Sequence, residues 1–136
     1  VKIKNAIIDE LLRSNALMLL RSYRNLIVSE LFDLSLLLSK YAPIEKAYYV
    51  AREALIDKYA MKDDKGKRIR IDKTWDFGDN TAVFLEEFKK LLEIETDINH
   101  DRVKISMDSI PAGMFTPDEI TTLCPLIEFT KGVWEK

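Results

Sequence analysis

From Asn15 to Tyr41 one pattern dominates this chain: Leu20, Ile27, Leu34 and Tyr41 recur every seven residues, and Leu17, Leu31 and Leu38 fill the interleaved positions. Such spacing places the apolar side chains on one face of a helix, with Arg24 the one exception in the series. Leu19, Leu26 and Leu37 widen the face beyond the narrow seam of a two-stranded coiled coil, so the helix needs more than one neighbour to cover it. Arg21, Arg24, Glu30 and Asp33 interrupt the same stretch, and charges at those intervals argue against a membrane span.

The turn that follows is read at "YAPIEK". Pro43 disfavours helix at Ala42 and suits the first position of a new helix. Ile44, Tyr48, Ala51, Leu55 and Tyr59 then form a second stripe, so segments 15–41 and 44–61 are expected to pack as a long antiparallel helical hairpin. Before it, "VKIK" reads as a short strand and residues 5–13 as a helix with Asn5 as N-cap. After it, residues 81–93 read as a helix capped by Asp79 or Asn80, with Phe84, Phe88 and Leu91 inward beside Leu85 and Leu92. "RVKISM" alternates as a strand. Thr116, Pro117 and Glu119 announce a capping box opening a helix over 117–130, which Pro125 kinks or ends. The expected architecture is α+β and mostly helical, with the hairpin and two further helices packed on a small two- or three-stranded sheet from segments near 1–4, 68–77 and 102–107, the first strand beside the third. At 136 residues one domain is expected.

The stretch 61–80, "MKDDKGKRIRIDKTWDFGDN", invites four readings. A calcium loop fails, because counting from Asp63 puts Lys65 at a ligand position and brings Gly66 two places early. "DFG" at 76–78 has neither the glycine-rich loop nor the catalytic loop of a kinase around it. A nucleic-acid hairpin over 62–77 has more substance: Lys65, Lys67, Arg68 and Arg70 can neutralise phosphates, and Trp75 can stack on a base. Asp63, Asp64 and Asp72 dilute that charge. The favoured reading is a solvated "DDKG" turn followed by an edge strand, with Ile69, Ile71, Trp75 and Phe77 sharing one parity toward a core.

Groups for chemistry are sparse. Cys124 and His100 stand singly as nucleophile and base, and together they supply too few ligands for zinc. Glu93, Glu95, Asp97 and Asp101 alternate as the wet face of a strand would, rather than as a magnesium site. No glycine-rich phosphate loop occurs. No catalytic residue, metal or cofactor is therefore expected. One cysteine fits a reducing, cytoplasmic setting, and the charged N-terminal stretch lacks the apolar core of a signal peptide. A formal net charge of -2 advertises no polyanion partner.

"YVAREALIDKYAMKDDKGKRI", "FLEEFKKLLEIETDI" and "TPDEITTLCPLIEF", with the opening "VKIKN", together resemble a family of small tailed-bacteriophage proteins of unknown function. The resemblance implies a phage or prophage origin and an accessory role, and carries no active site. The expected function is non-enzymatic, through protein–protein interaction or self-assembly as a homo-oligomer. Leu19, Leu26, Leu37 and Trp134 are the expected interface, since aromatics and apolar helix faces anchor such contacts. The alternative is a nucleic-acid accessory factor using the 62–77 hairpin.

Overall fold

A computed structural model describes residues 1–130. The chain is α+β and mostly helical, as the sequence implies. In order it forms β1 (Lys2–Lys4), α1 (Asn5–Arg13), α2 (Ala16–Ser22), α3 (Val28–Tyr59), β2 (Arg70–Ile71), β3 (Thr74–Trp75), α4 (Thr81–Glu93), β4 (Glu95–Asp97), β5 (Val103–Ser106), α5 (Pro117–Leu123) and β6 (Ile127–Thr130). Among the described residues no helix is long and apolar enough to cross a membrane.

The expected helical hairpin is not formed. The 15–41 segment breaks at Tyr23–Ile27, and α3 then runs 32 residues without interruption through Pro43. Both departures have physical causes. Arg24 would have occupied the apolar seam of a continuous helix. Breaking there leaves Arg24 exposed, buries Leu26, and lets the Tyr23 hydroxyl donate to the Ser109 carbonyl at 3.0 Å. Pro43 lies on the exposed side of α3, so its ring meets solvent. Leu34, Leu37 and Tyr41 before it and Tyr48 after it are all buried in the same core, which holds both halves on one axis.

Two polar anchors fix α3 to the rest. Glu30 is buried near its start, where Oε2 accepts from the Ser106 amide at 2.6 Å and ties α3 to the end of β5. Near its middle, Asp9 of α1 accepts from the Tyr48 hydroxyl at 2.8 Å and pairs with Arg52 at 3.3 Å and Arg13 at 2.9 Å. Burial, and next the Asp9 carboxylate, push the Tyr48 hydroxyl well above the ordinary phenol range, so it remains a donor.

The strands do not join into one sheet. β1 pairs antiparallel with β4, Ile3 opposite Thr96, rather than with the 102–107 segment. β5 instead pairs in parallel with β6, Val103 opposite Ile127. That strand replaces the second half of the helix expected over 117–130. The capping box forms as expected, Thr116 and Glu119 exchanging bonds of 2.9 and 3.2 Å, but α5 ends at Leu123. Pro125 has no N–H to continue it, and Ile127, Phe129 and Thr130 are strand formers. The 68–77 segment is a small hairpin of its own, β2 against β3, turning at Asp72 with φ 55. Ile71 is consequently 55% exposed, and only Trp75 and Phe77 of the predicted inward set are packed. Asn5 is not a cap: it is buried, its backbone amide donates to Ile94 and its side chain to Leu91, both at 2.9 Å. Helix α4 has the expected bounds and buries Phe84, while Leu85 is exposed.

Restoring an amide at position 43 tests the continuous helix. Pro43→Ala returns a helical hydrogen bond and removes the ring's clash with the preceding turn, a gain of roughly 1–3 kcal/mol after the unfolded-state entropy of proline is subtracted. Thermal denaturation should show Tm raised by several degrees; a turn at Pro43 would instead be weakened by the change.

Candidate interaction surfaces

Residues 61–80 form a compact projection at the C-terminal end of α3. The Met61 amide donates to Asp76 at 2.7 Å, Ile69 to Met61 at 2.9 Å and Asp76 to Ile69 at 2.8 Å, while Lys62 bridges Arg68. At the tip, Asp63 Oδ1 accepts from the amides of Lys65 and Lys67 at 2.8 and 2.9 Å, and Gly66 takes φ +77 to close the turn. The carboxylate in the first position of the rejected calcium loop is thus occupied by its own backbone. Residues 62–67 are a solvated turn, whereas Trp75 and Phe77 beyond them pack against Ile56, Ala60 and Phe84.

Behind the turn, Arg68 locks the hairpin to α3. Its Nε lies 2.6 Å from Asp57 Oδ1, its Nη1 2.7 Å from Glu53 Oε2, and its Nη2 donates to the Glu53 carbonyl at 3.1 Å. The Arg68 hydrogen bond holds the Asp57 carboxyl below the usual carboxylate range, and the bonds to Asp57 and then Glu53 raise Arg68 in turn. Trp75 packs into a second, smaller cluster with Ile56, Ala60, Phe77 and Phe84, and carries the guanidinium groups of Arg68 and Arg70 over its ring at 5.1 and 4.4 Å. Of the residues expected to meet nucleic acid, Arg68 and Trp75 therefore hold the hairpin together. Lys65, Lys67 and Arg70 stay exposed, with Lys73 beside them.

The expected protein interface is corrected by burial. Leu26 and Leu37 are buried in the main core, Leu37 completely, so these two side chains meet their own chain, while Leu19 is half-buried. Trp134 lies outside the described residues. A different apolar face is open instead. On the outer side of α3, Val28 is 84% exposed, Phe32 66%, and Val50 56%, with Leu36 also exposed between them. Pro43, Ala47 and Ala54 continue the stripe at steps of three, four and seven, so it runs almost the length of the helix. Toward its C-terminal half the surface sinks into a shallow depression of about 520 Å³ lined by Pro43, Lys46, Ala47, Val50, Ala51 and Ala54. The sequence carried this signal in the 3–4 spacing of residues 28, 32, 36, 43, 47, 50 and 54. Two stripes overlap in one helix, and the inner, leucine-rich one masks the outer.

Elsewhere the groups with chemical potential are engaged locally. His100 faces Asp33 through Nε2 at 3.3 Å and the Asp101 carbonyl through Nδ1 at 2.6 Å, while the exposed Cys124 thiol donates to Ile120 at 3.2 Å. Asp97 meets the N-terminal amino group at 3.6 Å and the Asn99 amide at 2.9 Å. The Asn99 bond leads in holding its carboxyl below the ordinary range. Among the described residues no three His, Cys, Asp or Glu side chains converge on a metal position. An apolar groove of about 490 Å³ between α2 and α3 is floored by Leu20, Leu31, Leu34 and Leu38, with Arg21 3.9 Å from Glu45 on its rim. Comparison of the chain with protein-family models, curated proteins and solved structures finds no match.

The hairpin lock has a pH signature. Because Asp57 is depressed in the folded state, its contribution to stability is fully present above the ordinary carboxylate range and is lost as pH falls through the depressed value. In Arg68→Ala the Asp57 titration should move upward toward its ordinary position, read by NMR of the carboxyl carbon. Amides of 68–76 should exchange faster. An unchanged Asp57 titration would show that Arg68 is not the lock.

Proposed function

We propose that this protein acts without catalysis, by binding another protein or a copy of itself through the outer face of α3. The carrying observation is that face: a line of apolar side chains, Phe32 and Val28 foremost, left open along a helix whose inner side is already fully used. Isolated exposed hydrophobics are ordinary, but contiguous ones mark contact surfaces. The resemblance to small tailed-phage proteins supports an accessory role in a bacterial host, and the single cysteine supports a reducing cytoplasm.

The alternative, a nucleic-acid accessory factor, draws on the exposed Lys65, Lys67, Arg70 and Lys73. It is weakened by the internal use of Arg68 and Trp75, which leaves few cations to release counterions from phosphate.

A photo-activated cross-linking residue placed at Phe32, and separately at Lys67, in the full chain in its native cells decides between the two. Protein adducts at 32 with none to nucleic acid at 67 are the expected result. Nucleic-acid adducts at 67 without protein adducts at 32 would overturn the reading.

A further inference from the structure

The outer face of α3 is not uniform along its length. Its N-terminal half is a ridge of large side chains, Val28, Phe32 and Leu36; its C-terminal half is the shallow depression among Pro43, Ala47 and Ala54, with Val50 the largest apolar side chain there. A ridge and a hollow on one surface are self-complementary under a two-fold axis between them, because such a contact places residue i against j and j against i.

We infer that this face pairs two copies of the chain through antiparallel α3 helices crossing near Pro43, an inference that rests on the reading of the face as a contact surface. With Pro43 beside its counterpart, Phe32 lies against the partner's Ala54 and Leu36 against the partner's Val50. The knobs of each ridge enter the hollow of the other. A parallel pairing would put ridge on ridge and leave both hollows empty.

The charges bordering the stripe agree with this register. Under it Lys40 stands level with the partner's Lys46 and Asp33 with the partner's Glu53, but the members of each pair lie on opposite flanks, so the width of the stripe keeps the like charges apart. Asp33 and the partner's Lys58 share a flank roughly 7 Å apart along the axis at a rise of 1.5 Å per residue, within reach of a lysine side chain. Size sets the strength. Residues 28–54 make a strip about 40 Å long and about 10 Å wide. Two copies then cover roughly 800 Å² before flanking side chains are counted, below the ~1,000 Å² that a specific interface ordinarily clears. The pair is therefore a weak, concentration-dependent dimer.

Single cysteines in a Cys124→Ser background test the geometry in the full chain. Pro43→Cys should give a disulfide-linked dimer under mild oxidation, whereas Phe32→Cys and Ala54→Cys should each link poorly alone and efficiently when mixed. Sedimentation equilibrium of the unmodified chain should show mass rising toward a dimer with concentration, and Phe32→Glu should weaken association at least tenfold. Should Pro43→Cys fold poorly, the mixed 32/54 pair carries the geometric test unaided. Linkage of Phe32→Cys to itself, ladders beyond a dimer, or a monomer at all concentrations would each overturn the pairing. A monomer that still gives protein adducts from the cross-linker at position 32 refutes self-pairing alone and leaves the contact surface standing.

Discussion

Burial of the inner side of α3 on both sides of Pro43 is the constraint on which the remaining structure depends. A proline inside a helix costs about 3 kcal/mol, from a lost hydrogen bond and a clash with the preceding turn. Against it stand Leu37, Tyr41 and Tyr48, all buried on one core. Large apolar side chains each contribute roughly 1.5–3 kcal/mol on burial, so the packing outweighs the proline. Glu30 on Ser106 and Asp9 on Tyr48 and Arg52 then fix the position of the helix along β5 and α1. Everything else is arranged around this rod: the main core on its inner side, the 61–80 projection at its C-terminal end, and solvent along its outer side.

The sequence showed the class and most of the elements because those depend on local chemistry. The bounds of α4, the capping box at Thr116 and the closing turn at Gly66 are written in adjacent residues. What it concealed depends on partners distant in the chain. Pro43 reads as a turn unless one knows that its ring faces solvent and that Tyr41 and Tyr48 share a core. Arg24 was visible as a break in the seven-residue pattern, but its consequence, a helix that stops at Ser22 and restarts at Val28, depended on Tyr23 reaching Ser109. The parallel pairing of β5 with β6 and the pairing of β1 with β4 link segments far apart in sequence, and short strands carry no mark of their partner.

The same limit governs the surfaces. A leucine on a helix is equally apolar whether it faces the core or solvent, so local sequence does not separate the buried Leu26 and Leu37 from the exposed Phe32 and Val50. The basic hairpin misled in the opposite sense. Arg68 and Trp75 have the composition of a nucleic-acid site, yet Glu53 and Asp57, about one turn apart near the C-terminal end of α3, claim the arginine, and the arginine covers the ring. Charge that composition offers to a ligand is spent on holding the projection in place.

The straightness of α3 is the central structural claim, since a hairpin at Pro43 would fold the outer face away and remove the proposed contact surface. Spin labels at Ser29 and Lys58, both exposed, measure it directly by pulsed dipolar spectroscopy in a Cys124→Ser background, with the doubly labelled chain diluted into excess unlabelled protein so that only distances within one chain are read. A continuous helix places these positions about 44 Å apart, at 1.5 Å per residue over the intervening length. Two antiparallel helices at ordinary packing distance would bring them within roughly 20 Å. A distribution centred near the longer distance is the result expected here; one centred near the shorter would contradict the fold and the function proposed from it.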